Sequence, residues 1–372
     1  MKQKIRLVFL GGGINSAIGR THEIAIKMDN LFELVGGCFS TDIDTNHKTA
    51  DIFNTKCYAN YKELIKDKNA FDALVILTPT DIHYEHIKKA LEHNIPVISE
   101  KTLVSSLQEA KNLQTIINQR NLFLLTTYNY TGYPMIRELE NMISNGMLGD
   151  IIYLNIQMPQ ESFIRLDKDK NIPQPQKWRL KDGNIPTISM DLGTHLSNMA
   201  SFLIKKSPIE VVAMQNSYGH YQVVDNLNCL IRYEDNIDGT FWYSKSALGH
   251  KNGLKVEVYG TKGSASWYQM NPEFLEFNDN LGRNIMLDRS SKDITIANQD
   301  RYNRFKSGHP AGFIEAFANH YQDIYQSLIY FFNSYKYTTK YTFDINNSIE
   351  SLSFMEAIKI SIKSGRWEQL CH

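Results

Sequence analysis

The sequence lacks an excess of charge of either sign. Lys and Arg together number 40, Asp and Glu together also number 40, and the formal net charge is zero. Proteins that bind nucleic acid or an anionic membrane surface generally carry a basic excess. We therefore expect neither nucleic acid nor a membrane among the partners of this chain.

Long apolar runs and a cleavable leader are lacking as well. No stretch of about 18 consecutive apolar residues occurs, and a charged segment at the N-terminus leads directly into the first apolar strand pattern. A secretory leader would begin with a longer apolar region and end in a cleavage site. These features predict a cytoplasmic protein.

Closely spaced cysteines are also missing. The four that occur are scattered without C-x-x-C spacing: Cys38, Cys57, Cys229 and Cys371. Disulfide frameworks and zinc sites depend on regular or paired spacing. We predict buried or free thiols, and because the histidines show no metal-ligand spacing either, we predict no metal site.

A glycine-rich stretch near the N-terminus is the most informative feature that is present. The apolar run Ile5–Leu10 enters three consecutive glycines, and a helical pattern follows. Strand, glycine turn and helix form the layout of a dinucleotide site, although an ordinary strand–helix turn has the same layout. Gly11 and Gly13 fit the first two positions of G-x-G-x-x-G, while Ser16 occupies the third and Gly19 follows later.

The first 128 residues alternate between strand and helix patterns about six times. This alternation predicts a doubly wound parallel sheet of the α/β class, and ligands bind outside the carboxyl ends of such strands. The segments that follow the predicted strands are Gly11–Gly13, Ser40, Thr78–Thr80, Glu100–Lys101 and Tyr128–Asn129. At 372 residues the chain is long enough for a second domain, which we place at 129–372.

The end of the second strand bears on the choice between NAD and NADP. An acidic side chain here accepts a hydrogen bond from the ribose 2′-hydroxyl and repels a 2′-phosphate. Ser40 and Thr41 come first in this chain and Asp42 comes late. Both cofactors stay open, with a lean toward NADP or dual use, and capping of the next helix is the alternative role of these residues.

Strand patterns follow one another in the second half with few helices between them. They lie at 149–157, 209–216, 226–233, 239–246, 254–259, 264–268 and 274–277, and helical patterns follow at 313–335 and 345–364. Consecutive strands of this kind predict a large, mostly antiparallel open sheet within an α+β domain.

Two positions in this second domain combine an acid with a base. Asp191 and His195 are four residues apart on a helix predicted over 187–203, so they share a face. A carboxylate beside an imidazole makes the imidazole a general base near neutral pH. The alternative is that Asp191 caps the helix and His195 is a hydrogen-bonded core residue.

Lys101 follows a predicted buried strand on the ligand edge of the first domain. A lysine there can hydrogen-bond a substrate oxygen and assist proton transfer. A solvated surface lysine is the alternative.

Taken together, these motifs resemble those of the Gfo/Idh/MocA oxidoreductases, which include glucose–fructose oxidoreductase and inositol dehydrogenases. The resemblance covers essentially the whole length and rests on Gly11-x-Gly13, Thr78-Pro79-Thr80-Asp81-Ile82-His83, Glu100-Lys101-Thr102, Trp178-Arg179 and Asp191-Leu192-Gly193-Thr194-His195. Thr102 replaces the usual proline and Ser16 replaces the third glycine, but neither departure removes a reacting group.

The resemblance implies an N-terminal Rossmann domain, NAD or NADP as cofactor, and a homodimer or homotetramer. It implies that Lys101 contacts nicotinamide and substrate, that Asp191 binds a substrate hydroxyl, and that His195 accepts the proton. Cofactor contacts are expected from Gly11, Gly12, Gly13, Asn15, Ser16, Ser40, Thr41, Thr78, Pro79, Thr80, His83, Glu100, Lys101, Asn129, Trp178 and Arg179. Substrate contacts are expected from Lys101, Tyr130, Arg179, Asp191, His195 and His309.

The activity that follows from the resemblance is NAD(P)-dependent oxidation or reduction of a CH–OH group in a sugar, an amino sugar or a polyol such as inositol. A cofactor-assisted glycosidase or lyase that oxidises its sugar only transiently is a second hypothesis. A non-catalytic NAD(P) and sugar sensor is a third.

Overall fold

The computed structural model describes residues 4–334, 337 and 339–370. Cys371 and the predicted last helical residue Tyr335 lie outside the described residues. The chain divides into two compact units, one formed by 4–132 with 313–349 and the other by 133–312 with 350–370. Among the described residues, no helix combines the length and apolar character needed to cross a bilayer.

The helices are α1 Ala17–Met28, α2 Ile43–Phe53, α3 Tyr61–Lys66, α4 His83–Glu92, α5 Leu107–Arg120, α6 Pro134–Ser144, α7 Thr194–Ile204, α8 Phe313–Ser334 and α9 Ile345–Ser364. The strands are β1 Ile5–Gly11, β2 Phe32–Cys38, β3 Lys56–Cys57, β4 Ala73–Leu77, β5 Val97–Ser99, β6 Leu124–Thr126, β7 Ile151–Pro159, β8 Pro208–Asn216, β9 Asn226–Tyr233, β10 Asp238–Ser244, β11 Lys255–Gly260, β12 Gly263–Tyr268, β13 Leu275–Asp279, β14 Asn284–Leu287 and β15 Glu368–Gln369.

The first unit contains the predicted parallel sheet. Its six strands are ordered β3-β2-β1-β4-β5-β6, and every pair is parallel. Because β2, β1, β4, β5 and β6 are consecutive neighbours, the loops that follow them lie side by side at the carboxyl edge. The structure thus confirms the doubly wound fold class.

Helix α8 completes the core of this unit, although the sequence analysis assigned residues 129–372 to the second domain. Its side chains Phe317, Tyr321 and Leu328 belong to the same buried cluster as Phe9 of β1 and Val75 of β4. Burial of this apolar face against the parallel sheet explains why Phe313–Ile349 falls within the first unit.

The second unit contains a nine-stranded sheet ordered β14-β13-β12-β11-β7-β10-β9-β8-β15. All pairs are antiparallel except β7 with β10, which confirms the mostly antiparallel sheet. On β9 the buried Cys229 and Ile231 flank the exposed Leu230, so one face is buried and the other open. The short strands β14 and β15 were not predicted.

The glycine loop after β1 is longer than the standard motif. Gly11 has φ +86°, and a Cβ there would lie 2.8 Å from the Leu77 carbonyl carbon. The Ser16 N–H donates to the Gly13 carbonyl at 2.7 Å, which closes a turn before α1. A Cβ at Gly19 would lie only 1.9 Å from the Gly12 oxygen, so Gly19 permits the close approach of helix and loop that the third glycine of the motif usually provides.

This contact predicts that Gly19→Ala strongly destabilises the first unit. The added methyl group has to displace the backbone of the loop, at a cost of about 1–3 kcal/mol or more. We expect a lower midpoint in thermal unfolding than for the wild type. Gly183→Ala is the control, because a Cβ at Gly183 meets only the Ile185 oxygen, at 3.6 Å; equal midpoints for both variants would contradict the prediction.

Candidate active site

With the exception of His83, which opens α4, the predicted cofactor residues of the first unit lie at or just after the ends of strands at one edge of the parallel sheet. Gly11–Gly13, Asn15 and Ser16 follow β1, and Ser40 and Thr41 follow β2. Thr78 and Pro79 follow β4, with Thr80 opening a 3₁₀ turn over Thr80–Ile82, while Glu100 and Lys101 follow β5 and Asn129 follows β6. The fold therefore brings these loops to one rim.

Two features of this rim fit a dinucleotide. Gly11 and Gly12 both have positive φ, and the absence of side chains lets a ligand approach the loop backbone next to the start of α1. The side-chain nitrogen of Asn129 is buried and has no hydrogen-bond partner within the described chain. A buried donor without a partner is costly, so an acceptor on a ligand would satisfy it.

The segment after β2 uses its carboxylate to cap a helix. Asp42 Oδ1 accepts from the Thr45 N–H at 2.8 Å, and hydrogen bonding to Thr45 lowers the pKa of Asp42. The hydroxyl oxygen of Ser40 accepts from the Asp42 N–H at 3.1 Å. The capping role is thus confirmed for Asp42, and Ser40 and Thr41 remain the hydroxyl groups of this loop.

His83 joins two of the loops from inside the protein. Its Nε2 lies 2.6 Å from the Thr78 carbonyl oxygen, and its Nδ1 lies 3.1 Å from the Thr102 carbonyl oxygen. Burial lowers the pKa of His83, and its side chain has no exposed surface. His83 therefore positions the loops after β4 and β5, and its contact with the cofactor stays a prediction.

Glu100 is a buried carboxylate with several hydrogen-bond donors. It accepts from His22 Nε2 at 3.0 Å and from the Thr127 hydroxyl. His22 Nδ1 in turn lies 2.6 Å from the Tyr321 hydroxyl, so a neutral imidazole donates from Nε2 and accepts at Nδ1. Burial alone raises the pKa of Glu100, but the bonds from His22 and Thr127 and the charge of Lys101 outweigh it and lower the pKa overall.

Lys101 is partly exposed beside this carboxylate, and the peptide bond between Lys101 and Thr102 is cis. Tyr130 lies in the 3₁₀ turn Asn129–Gly132, with its ring centroid 6.2 Å from that of Phe313. The structure thus places the predicted nicotinamide lysine on the same rim as the glycine loop.

In the second unit, Asp191 lies in a π-helical turn over Ser189–Gly193 that leads directly into α7. The sequence analysis predicted regular helix here. Tyr243 packs against this turn: its hydroxyl lies 2.9 Å from Ser189 Oγ, and a Cβ at Gly193 would lie 3.0 Å from its ring. Asp191 and His195 are both 7% exposed and four residues apart along the continuous helical segment.

The Asp191 carboxylate binds two cations. Lys245 Nζ lies 2.5 Å from Oδ2, and Arg179 Nη1 binds the same oxygen. The Arg179 guanidinium lies 4.3 Å from the centroid of the exposed Trp178 ring. Asp191 lies inside the helical turn, whose N-cap position is Ile188, and the N-cap position of α7 is Gly193, so the capping alternative for Asp191 is wrong.

Sequence analysis missed Lys245 and the contact made by Tyr243. The two residues are two positions apart at the end of β10, so they point to the same side of the sheet and both reach the turn that holds Asp191. The sequence shows that alternate side chains of this strand point to opposite faces of the sheet. It does not show which of the two faces is directed at Asp191.

His309, which is predicted to bind substrate, is exposed and lies in a loop. A buried ion pair anchors the backbone of this loop. Arg289 Nη2 donates to the His309 carbonyl at 2.7 Å, and Arg289 Nε pairs with Glu273 at 2.6 Å. Its contact with substrate stays a prediction. Within the part of the chain that the structure describes, no group of three His, Cys, Asp or Glu side chains is arranged to hold a metal ion.

Comparisons with known proteins agree with this geometry. Residues 5–128 match a family model described as an oxidoreductase family with an NAD-binding Rossmann fold. Residues 136–266 match the model of the GFO/IDH/MocA C-terminal domain.

Individual relatives cover most of the chain. An uncharacterised oxidoreductase of Bacillus subtilis (YfiI) is 28% identical, over 86% of this chain and 84% of its own. An oxidoreductase structure from Sinorhizobium meliloti is 31% identical, with TM-score 0.84 and coverage of 98% and 99%. An inositol dehydrogenase homologue from Azotobacter vinelandii, complexed with NADH and myo-inositol, is 26% identical, with TM-score 0.89 and coverage of 99% and 98%.

The hydrogen bonds of Glu100 predict a pH-dependent contribution to stability. Because its pKa is lowered in the folded chain, this contribution is present above the unfolded value of about 4.3 and is lost as pH falls through the folded value. Glu100→Gln removes the charge, so it should lower the free energy of unfolding near pH 7 by about 1–3 kcal/mol and flatten its decline in acid.

Urea unfolding at a series of pH values measures this effect. Glu92→Gln, at an exposed position, is the control and should stay within about 0.5 kcal/mol of the wild type. Parallel pH curves for the wild type and Glu100→Gln would contradict the prediction.

Proposed function

Because the chain belongs to the Gfo/Idh/MocA family of NAD(P)-binding oxidoreductases, we propose that it transfers hydride between nicotinamide and a CH–OH carbon of a sugar, an amino sugar or a polyol. The observation that carries the proposal is the buried Asp191, held by cations and followed four residues later by the buried His195. The homologue complexed with NADH and myo-inositol supports the substrate class.

The chain's own residues have distinct proposed roles. His195 accepts the proton of the substrate hydroxyl, and Asp191 binds a hydroxyl and stabilises the imidazolium that forms. Lys101 donates a hydrogen bond to the oxygen of the reacting carbon, which favours the change between alcohol and carbonyl. Tyr130, Arg179 and His309 bind other parts of the substrate.

NAD or NADP supplies the reversible hydride acceptor when it is bound. The residues proposed to hold it share a place on the strand ends of the first unit: Gly11, Gly12, Gly13, Asn15, Ser16, Ser40, Thr41, Thr78, Pro79, Thr80, Glu100, Lys101 and Asn129. From the second unit, Trp178 and Arg179 are proposed to lie near the nicotinamide or the sugar.

The open face of the second sheet supports a homodimer or homotetramer. Large side chains such as Leu230, Tyr259 and Met286 are exposed there on strands β9, β11 and β14. Exposed apolar area of this kind commonly serves association between subunits.

Removal of the proposed proton acceptor or of the lysine tests the mechanism. His195→Ala and Lys101→Ala should each lower turnover at least about 100-fold, because each loses proton transfer or its assistance. Binding of NAD(P), followed by quenching of protein fluorescence, should change only a few-fold. The exposed residues His93 and Lys66 provide the controls His93→Ala and Lys66→Ala; wild-type turnover in the site variants would contradict the roles.

Ser40→Asp tests the position of the ribose. A carboxylate there accepts from the 2′-hydroxyl and repels a 2′-phosphate, so the ratio of kcat/KM for NAD over NADP should rise about 10-fold or more. Thr115→Asp on the exposed side of α5 adds the same charge elsewhere in the first unit and should leave the ratio unchanged. An unchanged ratio in Ser40→Asp would place the 2′ position elsewhere.

A further inference from the structure

Asn198 is a buried amide in the second unit. It lies within α7, and the residue is 6% exposed. Its Nδ2 is enclosed by the protein but has no hydrogen-bond partner within the described part of the chain. A buried polar group without a partner is costly, and most buried side-chain polar atoms in proteins have one. The packing of the chain therefore does not account for this amide.

Helix formation does not account for Asn198 either. Asparagine is a poor helix former in a helix interior and is favoured at the N-cap, where its side chain bonds the first free N–H groups. The N-cap position of α7 is Gly193, so Asn198 lies more than one turn inside the helix. A residue that serves neither the core nor the helix end is a candidate for ligand binding.

The position of Asn198 on α7 places it beside His195. Leu196, Met199 and Leu203 are buried and share one side of the helix. At about 100° per residue, Asn198 lies on the other side, three positions after His195. Residues three apart on a helix are neighbours, with Cβ atoms about 5–6 Å apart. The amide without a partner therefore stands next to the imidazole that the proposed function makes the proton acceptor.

We propose that Asn198 is a substrate-binding residue, and that its amide donates a hydrogen bond to a substrate hydroxyl close to the one that His195 deprotonates. The proposal rests on the proposed function, which gives His195 that role. It adds that the substrate carries a second hydroxyl near the reacting carbon, as sugars and polyols do.

This contact would also provide specificity. A site that hydrogen-bonds a hydroxyl rejects the analogue that lacks it, because the buried group of the protein is then left without a partner. An alcohol with a single hydroxyl leaves the Asn198 amide in that state. Such an alcohol should therefore be a poor substrate even where its reacting carbon fits.

Replacement of the amide tests the contact. Asn198→Leu keeps the branching and the number of heavy atoms of the side chain but removes its hydrogen bond. The hydroxyl that Asn198 binds does not react, so the loss should raise KM about 5–10-fold and leave kcat within about 2-fold. KM is measured for myo-inositol, D-glucose or D-glucosamine, whichever the wild type oxidises.

Asn112→Leu, at an exposed position of α5, is the matched control and should leave both constants unchanged. Asn198→Ala removes the amide without added bulk, so it replaces Asn198→Leu if that variant does not fold, and the same rise in KM is expected. An unchanged KM in the folded variant would overturn the proposal.

Thermal unfolding of the free protein gives a readout that does not depend on turnover. Removal of a donor that has no partner in the free chain removes a cost, so the midpoint of Asn198→Leu should equal or exceed that of the wild type. An amide that held a buried water or served packing would behave differently, and its loss should lower the midpoint by about 2 °C or more. A lowered midpoint together with an unchanged KM would identify a structural role and overturn the proposal.

Monodeoxy analogues of the oxidised compound test the bond itself. With the wild type, one analogue should lose about 5–10-fold in kcat/KM, because it lacks the hydroxyl that Asn198 binds. With that analogue, Asn198→Leu should lose nothing further, since the partner is already absent. Losses that combine independently for every analogue would overturn the hydrogen bond.

Binding in the presence of NADH separates this proposal from the proposed function. NADH cannot accept a hydride, so the shift of the thermal midpoint with myo-inositol, D-glucose or D-glucosamine reports binding alone. A shift that Asn198→Leu lacks, together with no oxidation by the wild type, would overturn the dehydrogenase proposal and leave Asn198 as a contact of the bound compound. Oxidation by the wild type with an equal KM in Asn198→Leu would overturn the role of Asn198 alone.

Discussion

Each unit of this chain contains a buried carboxylate that is stabilised by hydrogen bonds or ion pairs to other side chains. In the first unit, Glu100 is held by His22 and Thr127, and in the second, Asp191 is held by Lys245 and Arg179. A buried charge without such partners costs several kcal/mol. Each carboxylate therefore ties together segments distant in sequence, and the groups proposed for chemistry also fix the loops that carry them.

The fold was largely predictable because its signals are local. Apolar strand patterns separated by helices gave the parallel sheet, and the glycines after Leu10 identified the nucleotide loop. The spacing of Asp191 and His195 gave a common helical segment. The sequence did not reveal that α8 packs in the first unit. Its apolar face could pack against either sheet, so the pattern alone does not identify the partner.

Contacts between distant residues account for what was missed at the site. Lys245 lies 54 residues after Asp191, and no local pattern marks a lysine that is buried. The π-helical turn packs through Ser189 and Gly193 against Tyr243, which comes from a strand and lies 54 residues after Ser189 along the chain. His83 was selected as part of a cofactor motif, but the motif did not show that its two ring nitrogens bond carbonyls of separate loops.

The most direct test of the dehydrogenase assignment is nicotinamide absorbance of the purified protein with NAD⁺ or NADP⁺. Inositols, aldoses, amino sugars, sugar phosphates and nucleotide sugars would each be supplied as substrate. Our account predicts substrate-dependent reduction of one or both cofactors by at least one of these classes, with loss of the signal in His195→Ala. Bound cofactor with no net reduction across the panel would contradict it and would favour transient oxidation or a sensor.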